Sequence, residues 1–287
     1  MPLPVTILFV AAVLNASAPA QVSGQVRPLS LYERTDYAGA ISALEHMPRT
    51  AKNLELLGQS HYMLSNFKKA GEAFESAAAL APNDSMIQTW LGRAYGRRAE
   101  TSFALTAMGL AGKTREAFEQ AVKLDPHNCE AVNDLFSYYV EAPGIVGGGI
   151  DKAHTLLPLI ETCDPSERQF AEARLHEHLK QYNQAEARLR RAIELSPKRV
   201  GLHLDLAKFL ARHGRFDESE QAFQTAQNIE PFSPRILYVR AEVYIATKRN
   251  LDQARKLLKQ YIDASSLTPE DPSRAEALRL LKKAEGA

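Results

Sequence analysis

Charged side chains are missing from the first 26 residues; Arg27 is the first. Two cysteines and one tryptophan are all that 287 residues hold of those types, and no run of five like charges occurs. Two cysteines cannot build a cysteine-rich zinc site or a multi-bridge disulfide framework. The near balance of 35 Lys+Arg against 34 Asp+Glu gives no general attraction to nucleic acid or anionic lipid. No apolar stretch reaches the ~20 residues that cross a bilayer comfortably. The patterns G-x-S-x-G, G-x-x-x-x-G-K-[ST] and H-E-x-x-H are absent. With them go the usual signatures of a nucleophile elbow, a phosphate loop and a zinc-protease helix. Carboxylates pair only at spacings expected of solvated helix faces. The expectation is a protein without catalytic residues, cofactor or metal. Its 45% apolar residues are enough for a sizeable core.

The uncharged start has a pattern of its own. Val5 to Leu14 is an apolar run of signal-peptide length, and the small residues Ala18-Pro19-Ala20 follow as an A-x-A cleavage site. Residues 1–20 are therefore expected to be a signal peptide, cut after Ala20, which places the mature protein in the periplasm or outside the cell. The segment lacks the usual Lys or Arg ahead of the apolar run, which leaves open an uncleaved anchor or a buried N-terminal segment. No stable membrane insertion is expected after cleavage.

Self-similarity dominates the remainder. Ala70, Phe74 and Ala77 lie in a helical stretch that stops at Pro82, and Phe118 and Ala121 precede Pro126 in the same way. Ala185, Leu189 and Ala192 lead to Pro197, and Ser219, Phe223 and Ala226 lead to Pro231. Each stretch is an amphipathic helix with a small residue, a bulky one four later, a small one three after that and a proline five beyond. The helix ahead of each is legible too: Leu57-Gly58 before Tyr62, Trp90-Leu91-Gly92 before Tyr95, Leu206-Ala207 before Phe209, Arg240-Ala241 before Tyr244. The pattern resembles the tetratricopeptide repeat family, W-x2-L-G-x2-Y then A-x3-F then P, over about residues 30 to 270. The resemblance implies an all-α, right-handed superhelical solenoid of helix-turn-helix hairpins with a C-terminal capping helix. Six repeats are expected, over 51–84, 85–128, 129–165, 166–199, 200–233 and 234–271. A degenerate half-repeat within 21–50 precedes them and a capping helix within 272–287 follows.

Two repeats depart from the family length. The second is about ten residues too long, with an apolar excess from Arg98 to Lys113 that reads as a hydrophobic elbow packed within its own repeat. The third carries Pro143-Gly144-Ile145-Val146-Gly147-Gly148-Gly149 between its helices. This Ala-Pro-Gly-Ile-Val-Gly-Gly stretch, with Tyr95 to Glu100 upstream, resembles a subgroup of exported bacterial tetratricopeptide proteins. The glycines could cradle an anion at a helix start. The simpler reading is an inter-helix loop with positive φ, Ile145 and Val146 plugging into the core. His176 and His178 are two residues apart, about 200° around a helix, and cannot chelate one ion from it.

Cys129 opens the first helix of its repeat and Cys163 lies near the end of the second. Those ends are neighbours in an antiparallel hairpin, so the pair can form one disulfide closing a loop of 34 residues; two buried free thiols are the alternative.

The resemblance further implies a concave groove lined by the first helix of each repeat. Carried over position by position, its polar candidates include Glu55, Gln59, Arg93, Arg97, Asn133, Glu141, Arg174, His178, Lys208, Arg212, Arg235 and Glu242. The aromatic candidates are Tyr62, Phe170 and Tyr238. Arginines and aromatics suit a protein or peptide partner with acidic groups. The expected function is a non-catalytic scaffold for such a partner, or alternatively an accessory role with a carbohydrate or envelope polymer; no nucleic acid is expected. The Lys/Asn pairs that clamp acidic tails of cytosolic chaperones in some repeats of this type have no match here.

Overall fold

The computed structural model describes residues 27–286. The expected signal peptide lies outside the described residues. Among the described residues there are fifteen α-helices and no strand. They run as antiparallel pairs: α1 (Pro28–Glu33) with α2 (Tyr37–Glu45), α3 (Ala51–Met63) with α4 (Phe67–Leu80), and α5 (Ser85–Glu100) with α6 (Ala104–Leu124). Next come α7 (Cys129–Glu141) with α8 (Ile150–Cys163), α9 (Pro165–His178) with α10 (Tyr182–Leu195), α11 (Val200–Arg212) with α12 (Phe216–Ile229), and α13 (Pro234–Ala246) with α14 (Leu251–Asp263). A last helix, α15 (Arg274–Glu285), has no partner of its own.

Local chemistry sets these boundaries. The first helix of most pairs starts on a side-chain cap: Thr50 accepts from the Asn53 amide, Asp84 from Met86 and Ile87, Asn128 from Ala131, and Asp164 from Ser166. Such caps satisfy amides that have no partner inside the helix. The turns inside the hairpins work differently, each reversing at a residue with positive φ: Thr35, Ser65, Gly147, Lys180, Gly214 and Lys248. The α5–α6 joint has none. Pro82, Pro126, Pro197 and Pro231 fall just past the ends of α4, α6, α10 and α12. Pro165 instead opens α9, because Asp164 both ends α8 and caps α9. Pro158 lies within α8 on its exposed face, where the carbonyl it leaves unpaired can meet water.

The small–large–small register reappears as burial. Ala70, Phe74 and Ala77 are buried on α4, as are Thr114, Phe118 and Ala121 on α6. Ala185, Leu189 and Ala192 repeat it on α10, Ser219, Phe223 and Ala226 on α12. Where the small residue is polar it bonds locally: Ser219 Oγ donates to the Ala207 carbonyl at 2.8 Å and Thr114 Oγ1 to the Leu110 carbonyl at 2.9 Å. Opposite the bulky residue, the first helix must be nearly bare. A Cβ on Gly92 would lie 2.5 Å from Phe118, and one on Gly58 would lie 2.6 Å from Phe74. Gly92→Ala is therefore expected to destabilise the protein by about 1–3 kcal/mol, the usual scale of overpacking, although alanine is the better helix former. An unfolding midpoint unchanged or raised by the substitution would contradict the close approach.

Neighbouring hairpins are also tied by a repeated bond. Tyr95 Oη donates to Glu75 at 2.7 Å, Tyr139 to Glu119 at 2.8 Å, and Tyr244 to Glu220 at 2.8 Å. In each case a tyrosine of a first helix reaches the second helix of the hairpin before it. Burial, then the carboxylate, holds the Tyr95 and Tyr139 hydroxyls well above the ordinary phenol range.

Two expectations about departures from the repeat fail. Phe103 is 93% exposed and Leu105 86%, so the α5–α6 joint is an open apolar tip rather than an elbow packed in its own repeat. Only from Leu110 onward does α6 turn its apolar side into the core. In the glycine loop Ile145 is 81% exposed and does not plug into the core. The loop is fixed by its backbone instead. Gly147 has φ +95°, and a Cβ on Gly148 would lie 1.8 Å from the Ala142 carbonyl oxygen. The Gly147 and Gly148 amides donate to the carbonyls of Gly144 and Pro143, and the Gly149 amide donates to that of Tyr139 at 2.8 Å. Amides spent in this way are not free to cradle an anion. Cys129 and Cys163 are bonded, with their Cα atoms 5.9 Å apart.

Candidate functional site: the wall formed by the first helices

Helices α3, α5, α7, α9, α11 and α13 stand side by side, so residues one hairpin apart face each other across adjacent helices. Charged side chains on this wall meet in a regular way. Arg93 on α5 donates to Asp134 on α7 at 2.5 Å and pairs with Glu130 at 2.9 Å. From α9, Arg174 reaches back to α7, donating to Ser137 at 2.6 Å and Glu141 at 2.5 Å. Arg212 on α11 grips Glu177 on α9 with two bonds of 2.9 Å. Lys208 on α11 lies 3.3 Å from Glu242 on α13. Arg93, Arg174, Lys208 and Arg212 are thus each paired with an acid on an adjacent first helix, whereas Arg97 pairs with Glu100 on its own helix and with Glu276, and Arg235 is in no ion pair among the described residues. Exposed ion pairs are worth little individually. Their geometric effect is to fix the spacing of the wall. Burial opposes ionisation here: it holds the Asp134 carboxyl above its usual range in spite of Arg93.

The aromatic candidates are half-buried. Tyr62 stands edge-on to Phe67 and Trp90, and burial pushes its hydroxyl up to about 12. Arg93 lies over Trp90, 4.8 Å from the ring centre. Tyr238 packs against Tyr261, and Phe170 against the core between α9 and α13. Asn133 is half-buried on α7. His178 is exposed, and His176 holds Gln181 through Nδ1 at 2.7 Å.

Asp205 was not among the residues singled out from sequence. It sits half-buried on α11 and is in none of the hydrogen bonds or ion pairs among the described residues. It lines a cavity of about 390 Å³ with Glu141, Phe170, Arg174, Lys208 and Arg212, and a second one toward Arg199 and Arg235. Burial raises its pKa, and Lys208, Arg235 and Arg174 only partly offset that. An acid whose folded pKa is raised destabilises the fold above that pKa, and the penalty is relieved as pH falls through it toward the ordinary aspartate value. Asp205→Asn is therefore expected to stabilise the protein at neutral pH by about 1–3 kcal/mol, the scale of an imperfectly satisfied buried group. The gain should vanish in acid. Denaturation midpoints of the two proteins from neutral to acidic pH check this, and parallel curves would contradict it. No sequence signal marks Asp205 out, since an aspartate on a helix face reads as solvated.

Two stretches, residues 29–85 and 178–243, match models described as tetratricopeptide repeat. These two stretches carry tetratricopeptide repeats. The first stretch includes α1 and α2, a full helix pair where a degenerate half-repeat is expected from sequence. Among solved structures, a tetratricopeptide repeat protein from Parabacteroides merdae is 14% identical with a TM-score of 0.57, covering 90% of this chain and 96% of that one. A chain of the APC/C hetero-tetramer Cut9–Hcn1 is 15% identical with a TM-score of 0.51, covering 90% of this chain and 48% of that one. At such identities the likeness is one of fold. No curated protein matches the sequence. Tetratricopeptide repeat proteins are in general protein–protein interaction scaffolds, typically without catalysis.

Proposed function

We propose that this protein is a non-catalytic scaffold that holds a segment of a partner protein against the wall of first helices, at the cavity around Asp205. The observation that carries the reading is the contrast at that cavity. Around it Arg174, Lys208 and Arg212 are each paired with an acid on an adjacent helix, while Asp205 is in no hydrogen bond or ion pair among the described residues, and burial works against its charge more than Lys208 and Arg235 offset it. A charge kept at a cost to stability is what a binding site needs and a structural wall does not. Phe170 supplies apolar area beside it. The partner segment would bring a lysine or arginine to Asp205, and Lys208 and Arg212, whose heads are partly exposed, would exchange their internal acids for its carboxylates.

Export belongs to the same proposal. It is supported by the apolar run and A-x-A pattern ahead of residue 21, and by a disulfide, which persists best in an oxidising compartment. Mass spectrometry of the protein purified from its native host should find Gln21 as the first residue; an intact Met1 would overturn cleavage.

Affinity capture from an envelope extract tests the binding reading, with wild type beside Asp205→Asn and beside Lys208→Ala with Arg212→Ala. A protein held by wild type, weakened by salt and lost from both variants is the expected result. A lane that is empty, or the same for all three, would shift the reading to a carbohydrate or envelope polymer or to another face.

A further inference from the structure

The last helix does more than end the stack. Its apolar side, through Ala277 and Ala284, packs with Leu258 and Tyr261 of α14, as a cap should. Its charged side meets the other end of the protein. Arg274 donates to Thr35 Oγ1 in the α1–α2 turn at 2.7 Å, and Arg279 to Ser65 Oγ in the α3–α4 turn at 2.7 Å. Glu276 accepts from Arg97, near the end of α5, at 2.8 Å. These partners lie 239, 214 and 179 residues apart in sequence. The two ends of the stack therefore touch, and α15 is the element that joins them.

The two sides of α15 differ in kind. Toward α14 the contact is a buried apolar cluster, reinforced by Arg255 donating to the Ala284 carbonyl at 3.1 Å and Arg274 to the Ile262 and Ala264 carbonyls. Toward α1–α5 it consists of the side-chain bonds just named, with one ion pair whose members are each about one-third exposed (29% and 31%), and of the buried Tyr37 of α2, which stands close enough to Tyr261 of α14 to act on its hydroxyl; no apolar cluster spans it. A joint of that second kind can open without splitting an apolar cluster. Arg97 and Tyr238, both candidates for the binding wall, stand beside it: Arg97 holds Glu276 directly, and Glu276 and Arg279 are close enough to Tyr238 to act on its hydroxyl.

We propose that α15 is a latch, which closes the helical stack into a ring through Arg97–Glu276, Arg279–Ser65 and Arg274–Thr35, and must release before a partner can reach the wall at Arg97 and Tyr238. This rests on the binding reading above only for its purpose; closure and opening are properties of the protein alone. The latch holds at low ionic strength and loosens as salt screens the ion pair.

The test needs no partner. Small-angle scattering of the full chain, from low to molar salt, should show the radius of gyration increase with salt at unchanged helix content by circular dichroism. Glu276→Arg, which sets like charges together, should be expanded already at low salt. Combining Glu276→Arg with Arg97→Glu should restore the compact form. That rescue separates a latch from damage to the start of α15, where Glu276 also sits. Should Glu276→Arg fail to fold, Arg279→Glu takes its place with the same expected expansion. A radius of gyration that is insensitive to salt and to the folded single variant overturns the latch, as does a double variant as expanded as the single. Neither result would touch the binding reading, whose own variants lie at Asp205, Lys208 and Arg212.

Discussion

Reduction of the Cys129–Cys163 bond is expected to lower the stability of the folded chain by about 3–4 kcal/mol. The bond joins the first residue of α7 to the last of α8 and closes a loop 34 residues long, which sets that figure on the chain-entropy account. The local structure makes the effect visible. Between the two helices runs the glycine loop, and α8 itself carries an internal proline. The bond thus restrains a hairpin with a long connection and a proline inside its second helix, features that favour local opening. Denaturant unfolding with and without reductant measures the loss, with the Cys129→Ala and Cys163→Ala double variant as a control that should match the reduced wild type. Hydrogen exchange should show the loss of protection spreading outward from α7 and α8. Coincident unfolding curves for oxidised and reduced protein would mean that the hairpin holds itself together by packing alone.

The helix pairs were legible because their constraint is local and repeated. A small residue, a bulky one and another small one at fixed spacing can satisfy only a close hairpin, and the bare positions Gly58 and Gly92 confirm which residue each phenylalanine faces. The third hairpin breaks that rule: Phe136 stands where neighbouring repeats have Gly92 or Ala173, and Leu157 rather than phenylalanine occupies the matching place on α8. The α5–α6 tip misled for a related reason. Apolar content reads as packing, but Phe103 and Leu105 stand exposed at the tip, uncovered by the neighbouring hairpins.

The wall was legible only in part. Position within the repeat points to Arg93, Arg174 and Arg212, but their acids are 41, 33 and 35 residues away, and no local pattern shows that Asp134, Glu141 and Glu177 meet them. The charged face of α15 is an extreme case. It reads as the solvated side of a cap, because the residues that meet it are the better part of the chain away. Pairings of this kind depend on the curvature of the whole stack, to which every hairpin adds a small rotation.

The same property makes the cost of one substitution depend on where in the stack it is made. Phe223→Ala is expected to cost about 3–5 kcal/mol, the usual loss for a phenylalanine removed from a packed interior. Phe223 is fully buried in the cluster that joins α9 through α13. The neighbouring positions Ser219 and Ala226 are too small to fill the space, and the Ser219 bond to the Ala207 carbonyl keeps α11 and α12 from closing on it. Phe74→Ala deletes an equally buried ring from the equivalent place on α4. There only α1, α2 and α3 lie on the outer side, so the damage can be shed by local unfolding of the first hairpins while the remainder stays folded. Phe223→Ala should thus lower the midpoint of the main transition, whereas Phe74→Ala should split off an early phase in which hydrogen exchange rises only in α1 to α5. Equal, single transitions for the two variants would show that the stack unfolds as one unit, as a ring held shut by α15 would favour, and an early phase in Phe74→Ala that grows with salt would connect the fraying of the first hairpins to release of the Arg97–Glu276 contact.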